Sequence, residues 1–153
     1  MVKKLKLSPH AFCLLYAQAC IEIRHERGDM TDDDHRTMRR HIHERSEPSV
    51  ALMYRCFPTV YERVGHHATL RDMQRYWRVT HQNATEGTPV MCATLVELKR
   101  TDQGGEWWVA RAHNPATGRV ERRIVCNTQR MLSLTAGDNV YIHVHTIAEK
   151  VLA

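Results

Sequence analysis

No stretch of this chain approaches the ~18 uninterrupted apolar residues that a membrane-spanning helix needs, so an α-helical membrane protein is excluded. Its five cysteines, Cys13, Cys20, Cys56, Cys92 and Cys126, contain no C-x-x-C pair, which excludes a zinc knuckle or a dithiol redox motif of the usual spacing. The same scatter, odd in number, predicts free thiols in a reducing compartment. The chain also lacks GxxxxGK[ST], GxGxxG after a strand, HExxH and GxSxG, so none of the common phosphate-cradling, dinucleotide, metalloprotease or hydrolase signatures is present. No internal repeat or low-complexity tract occurs. The basic start runs straight into a capped, polar-faced helix without a long apolar segment, and a cytoplasmic protein with no signal is expected.

What is present is a mild basic excess. The formal charge of +5 divides into about +3 over residues 1–88 and +2 over residues 89–153, with acidic residues mixed through both. Such a balance permits contact with nucleic acid without requiring it, because a binder is marked by a clustered basic face.

The first half reads as helical. Ser8 is an N-cap, Pro9 stands at the first helical position, and Phe12, Leu15, Tyr16, Ala19 and Ile23 form an apolar stripe that ends at Gly28. Thr31 with Asp34 resembles a capping box, and Asp32, Asp33 and Asp34 lead a second helix whose later turns carry Arg36, Arg39, Arg40 and Arg45. That helix offers only Met38 and Ile42 as an inward face. Pro48 opens a third helix with Val50, Leu52, Met53 and Phe57, Pro58 ends or kinks it before Val60, Tyr61 and Val64, and Gly65 closes it. A fourth begins at Thr69 with Asp72 in capping-box position, setting Leu70, Met73 and Trp77 opposite Arg71, Arg75 and Arg78.

Beyond residue 89 the period shortens. Val90 to Leu98 is apolar at both parities, Trp107 to Ala112 and Arg119 to Cys126 flank an Asn114-Pro115-Ala116-Thr117-Gly118 turn, an irregular or helical link passes Met131 and Leu134, and a Gly137-Asp138 turn launches Val140 to Ile147. The expected fold is α+β, with a helical bundle of about four helices (residues 1–82), a linker (83–89) and a small OB-like or SH3-like β-barrel (90–153).

Two constellations carry chemistry. Arg71, Arg75 and Arg78 stand at helical spacing, and Trp107, Trp108 and Tyr141, with Arg119, Arg122 and Arg123, add stacking surfaces and cations in the barrel. Together they suit a phosphate backbone with stacked bases. In VYIHVH, strand alternation would set Tyr141, His143 and His145 on one face, two imidazoles side by side, with a further ligand for iron or zinc available from Cys92 or Cys126. Asp32 to Asp34 beside His35 are explained by the start of a helix. Cys13 and Cys20, seven apart on one helix face, suit burial.

The segment GDNVYIHVHTIAEKV resembles the final strand of small hydrogenase-maturation chaperones of the HypC type, GRVERRIV resembles their middle strand, and Met91-Cys92 resembles the Met-Cys that opens them. The resemblance covers the second half only. It implies a metal-handling accessory protein in which Cys92 and His143 pass an iron centre to a hydrogenase subunit. Cys92 is internal here, followed by Ala93-Thr94-Leu95, whereas the family's cysteine is amino-terminal and soon followed by proline; after His143, His145-Thr146 replaces its glycine-phenylalanine. The leading expectation is a non-enzymatic binding or adaptor protein with no cofactor. Its barrel contacts nucleic acid, and its helical half docks a protein partner or a second copy.

Overall fold

A computed structural model describes residues 8–65, 67–80, 90–115 and 117–151. The expected linker, residues 83–89, lies outside the described residues. Among the described residues five helices precede a closed five-stranded barrel, so the fold is α+β with a small barrel, as expected.

Local chemistry sets the helix ends. The Ser8 hydroxyl accepts from the Ala11 N–H at the start of α1 (Pro9–Glu26), and Thr31 accepts from Asp34 N–H at the start of α2 (Asp32–Glu44). At Thr31 the reciprocal half of a capping box is absent. The Asp34 carboxylate instead receives two bonds from Arg55, at 2.9 and 2.8 Å, and this pairing holds it below the ordinary carboxylate range. Ser49, not Pro48, caps α3 (Val50–Cys56), and Pro58 divides it from α4 (Pro58–Val64). Thr69 and Asp72 make the complete capping box of α5 (Leu70–Arg75).

After Arg75 the helix widens into a π-helical turn, Tyr76–Thr80. The wider turn changes the angular position of Trp77 and Arg78. Trp77 is buried beside Tyr16, their rings stacked at 5.4 Å, and Arg78 turns toward the barrel. The guanidinium stripe expected through Arg71, Arg75 and Arg78 is therefore split: Arg71 and Arg75 are exposed on α5, while Arg78 is taken into the seam between the halves.

The barrel comprises β1 (Val90–Asp102), β2 (Gly105–His113), β3 (Val120–Thr128), β4 (Asn139–His143) and β5 (Thr146–Lys150). It closes in the order β1-β2-β3-β5-β4, with β4 returning antiparallel to β1 and β3 meeting β5 in parallel. A five-stranded Greek key of this order is the OB-type arrangement. Met91, Ala93, Leu95, Trp108, Ala110, Ala112, Val125, Val140, Ile142 and Ile147 fill its interior. A second core, built on Phe12, Tyr16, Ile21, Met38, Met53, Tyr61, Met73 and Trp77, extends across the seam to Val90 and Ala148. On β1, Met91, Ala93 and Leu95 fill the barrel and Val90 joins the second core, whereas Cys92, Val96 and Leu98 are exposed, so only the start of the strand is covered on both faces.

The seam is also polar. Arg78 donates two bonds of 2.6 Å to Glu149, and the Tyr16 hydroxyl donates to the same carboxylate. The guanidinium lies 5.5 Å from the Phe12 ring centre and 5.7 Å from that of Tyr141. Burial first, then the Glu149 charge, pushes the Tyr16 hydroxyl far above its ordinary range; the Glu149 bonds raise Arg78.

Candidate functional site

Side-chain alternation on β2 and β3 decides what the barrel shows to solvent. With Trp108, Ala110 and Ala112 inside, Trp107, Arg111 and His113 point outward from β2, and Val109 shares their parity but is buried. Register then places Arg111 directly opposite Arg122, His113 opposite Val120, and Trp107 opposite Cys126. On the other flank β1 brings Thr94 to Arg111 and Cys92 to His113. Two register shifts in β1, between Leu95 and Glu97 and between Leu98 and Arg100, move its pairing by two residues, so Arg100 rather than Leu98 faces Trp107. The Arg100 guanidinium lies 4.7 Å from the Trp107 ring centre.

The charges on this face are unequally used. Asp102 accepts from Gly104 N–H at 2.8 Å, from the Trp107 indole N–H at 3.0 Å and from Arg100 at 3.4 Å. Burial works against its charge, but these bonds outweigh it and hold Asp102 below its ordinary value. Glu106 accepts from Asn127, Glu121 accepts from Asn114 and Arg123, and Asp138 pairs with Lys150. Of the barrel's acidic residues only Glu97 has no such partner among the described residues. Arg111, Arg119, Arg122 and Arg130 are all exposed, and none has an ion pair or side-chain hydrogen bond among the described residues. Arg111 and Arg122 are like charges in direct cross-strand opposition, an arrangement that destabilises a sheet unless something offsets it.

Among the residues expected to contact nucleic acid, the structure groups Trp107 and Arg122 on this face and puts Arg119 at the exposed β2–β3 turn. Trp108 is 5% exposed and belongs to the barrel core. Arg123 lies on the other face, paired with Glu121, and Tyr141 faces the helical half under Arg78. Sequence reasoning missed Arg100 and Arg111. Arg111 shares the parity of Trp107 in GEWWVARAH, a signal that was there, but its pairing with Arg122 needs the register.

The expected face shared by Tyr141, His143 and His145 is broken. A tight turn at Val144 and His145, with Val144 at φ +59°, ends β4 at His143 and reverses the chain into β5. His143 is 2% exposed, and its Nδ1–H donates to the Tyr16 carbonyl at 2.6 Å, with the Cys20 sulfur 3.8 Å away and Trp77 edge-on to the ring. Burial pushes the Cys20 thiol up to about 11, so this pair does not supply a thiolate nucleophile. His145 is exposed, and its carbonyl accepts from Cys126 N–H. Cys92 is exposed on β1 opposite Tyr141, two residues along from the Val90–His143 pair. Among the described residues no group of three or more His, Cys, Asp or Glu is arranged to hold a metal ion.

An open hollow of about 460 Å³ between α1 and α2 is lined by His25, Asp32, His35, Arg36 and Arg39. The His25 and His35 rings stack at 3.9 Å and 8°, too parallel for their lone pairs to converge on one ion. His25 binds Asp32 at 2.6 Å and His35 binds Glu22 at 2.9 Å, each reaching to the other helix. This cluster joins the two helices.

Compared with known proteins, the chain matches no family model, no curated protein and no solved structure.

Proposed function

We propose that this chain is a non-enzymatic nucleic-acid-binding protein whose contact surface is the outward face of β1, β2 and β3. The observation that carries the reading is the Arg111–Arg122 pair: two exposed guanidinium groups in register, neither of them ion-paired among the described residues, with the unpartnered Glu97 opposite Val109 as the one free acid of this face. The barrel's acids are otherwise bonded internally, so the surplus positive charge is concentrated where the sheet faces solvent. A bridging phosphate removes the cross-strand repulsion and gains two charge-assisted bonds. Trp107 on the same face adds a ring for stacking, and this sheet, with the loops at its edge, is where OB-type barrels take oligonucleotides.

Filter binding of single strands and duplex across a salt series tests the reading. Arg111→Ala/Arg122→Ala is expected to weaken binding and to lower the slope of log K against log salt by about 0.7–0.9 for each phosphate left without its arginine. Arg71→Ala/Arg75→Ala, on the helical half, is expected to leave the slope unchanged. Binding that is absent, or indifferent to salt, refutes the proposal.

One observation favours a second reading, the metal-handling chaperone that the HypC-type resemblance implies. Cys92 and His143 lie on adjacent strands, on the same outward face of β1 and β4, two residues apart in register. His143 is covered by α1 and Trp77 and already donates to Tyr16, so metal uptake requires the helical half to withdraw. Elemental analysis of anaerobically purified protein checks this: near-stoichiometric iron or zinc, absent from Cys92→Ala, supports it, and metal-free protein rejects it.

A further inference from the structure

We infer that the nucleic acid taken by this face is single-stranded, with a base stacked on the Arg100–Trp107 platform and neighbouring phosphates held by Arg111 and Arg122. This rests on the nucleic-acid reading above and specifies its ligand. Three observations carry it.

First, the platform is built in advance. The Trp107 ring is fixed at its edge by the indole N–H bond to Asp102, and the Arg100 guanidinium covers one of its faces at 4.7 Å. Asp102 also binds Arg100 and the Gly104 N–H, so the β1–β2 turn, the cation and the ring form one unit. Bases stack on guanidinium planes as well as on aromatic rings, and every base offers a π-face for this. In a duplex those faces are occupied by neighbouring base pairs.

Second, the platform and the arginine pair are separate stations. Trp107 and Arg111 are four residues apart on β2, about 13 Å along the strand. Glu97, the one unpartnered carboxylate of the barrel among the described residues, sits opposite Val109 between them. Phosphate is therefore favoured at the arginines and disfavoured in the middle, which suits a flexible strand that can turn its base toward the sheet there. A rigid duplex backbone presents evenly spaced phosphates to all positions alike.

Third, the chain reports on its own platform. Trp77 and Trp108 are 2% and 5% exposed, whereas Trp107 is partly exposed. Stacking on Trp107 is thus read directly as quenching of its fluorescence.

The experiment titrates the full chain with an oligothymidylate of about 16 nucleotides, the upper range for one barrel of this type, with the same length as duplex, and with poly-glutamate. The single strand is expected to quench fluorescence and to bind at least about tenfold tighter than the duplex. Trp107→Ala is expected to weaken single-strand binding about five- to a hundredfold, read by anisotropy of a labelled strand. Trp107→Phe keeps a ring, serves as the folding control, and is expected to recover most of the affinity. Salt-dependent binding in which duplex equals or exceeds single strand, without quenching, overturns this inference and leaves the nucleic-acid reading standing. Poly-glutamate binding as tightly as the strand overturns it as well. No binding of either nucleic acid overturns both.

Discussion

Gly105→Ala is expected to destabilise the barrel by more than about 3 kcal/mol and to abolish the outward platform with it. Gly105 has φ +142°, a region closed to residues with a Cβ, so alanine is strained whatever space surrounds it. Space is also missing. A Cβ there would overlap the Asn127 carbonyl oxygen and stand 2.9 Å from the Gln129 nitrogen, both backbone atoms of β3 and its exit, which cannot swing aside as a side chain can. Relief requires β2 and β3 to part where Gly105 pairs with Thr128, two residues from the Trp107–Cys126 pair. Chemical unfolding followed by circular dichroism measures the loss. A Gly118→Ala control, at a turn glycine with φ +69° and nothing within 4 Å of its added Cβ, carries backbone strain without overlap and is expected to cost less. Equal costs for the two variants would show that the β3 backbone yields and that overlap at Gly105 is unimportant.

Arg78→Ala is expected to cost about 3 kcal/mol of stability, toward the lower end for breaking a buried ion pair because the Arg78 side chain keeps 34% of its surface. The loss arises mainly from what is left behind. Glu149, 15% exposed, would keep its charge beside Tyr16 with no cation to balance it, and the guanidinium's contacts with the Phe12 and Tyr141 rings would go as well. Glu149→Gln removes the charge but keeps an acceptor for Tyr16 and Arg78, so it is expected to cost less than Arg78→Ala. The double variant is expected to be more stable than the sum of the two single effects implies, since each residue's partner is already gone. Denaturant midpoints for the four proteins complete the cycle, and Arg78→Ala within about 0.5 kcal/mol of the parent would dismiss the seam as a structural lock. The same variant bears on function: Arg78 is committed to Glu149, so its removal is expected to leave the salt slope of nucleic-acid binding intact wherever the protein remains folded.

Arg78 also illustrates how far the chain could be read unaided. It was legible as a cation at helical spacing from Arg71 and Arg75, and that spacing holds only while the helix keeps 3.6 residues per turn. The π-helical turn at Tyr76–Thr80 changes the count, and it is paired with the burial of Trp77 against Tyr16, a residue far back in α1. VYIHVH similarly reads as one unbroken strand, because no Gly, Pro, Asn or Asp marks the reversal at Val144 and His145. A β-branched residue at positive φ is locally unfavourable, and here closure of β4 onto β5 and the Cys126–His145 backbone bond hold it. Trp107 and Arg122 were recognisable as candidates for contact. Arg111 became visible only when register set it against Arg122, and Arg100 only when two shifts in β1 delivered it to the indole.

Helix boundaries were written into the amino-acid order, through Ser8, Thr31, Pro58, Gly65 and the Thr69–Asp72 box, and so was the change to short strands after residue 89. Those features depend on groups within about four residues of one another, so local hydrogen bonding and periodicity suffice to specify them. Long-range packing settled the rest: which cations stay without partners, which tryptophan faces solvent and which histidine is sealed beneath a helix. Each of those outcomes depends on strands and helices distant in the chain, whose register and contacts no local pattern encodes.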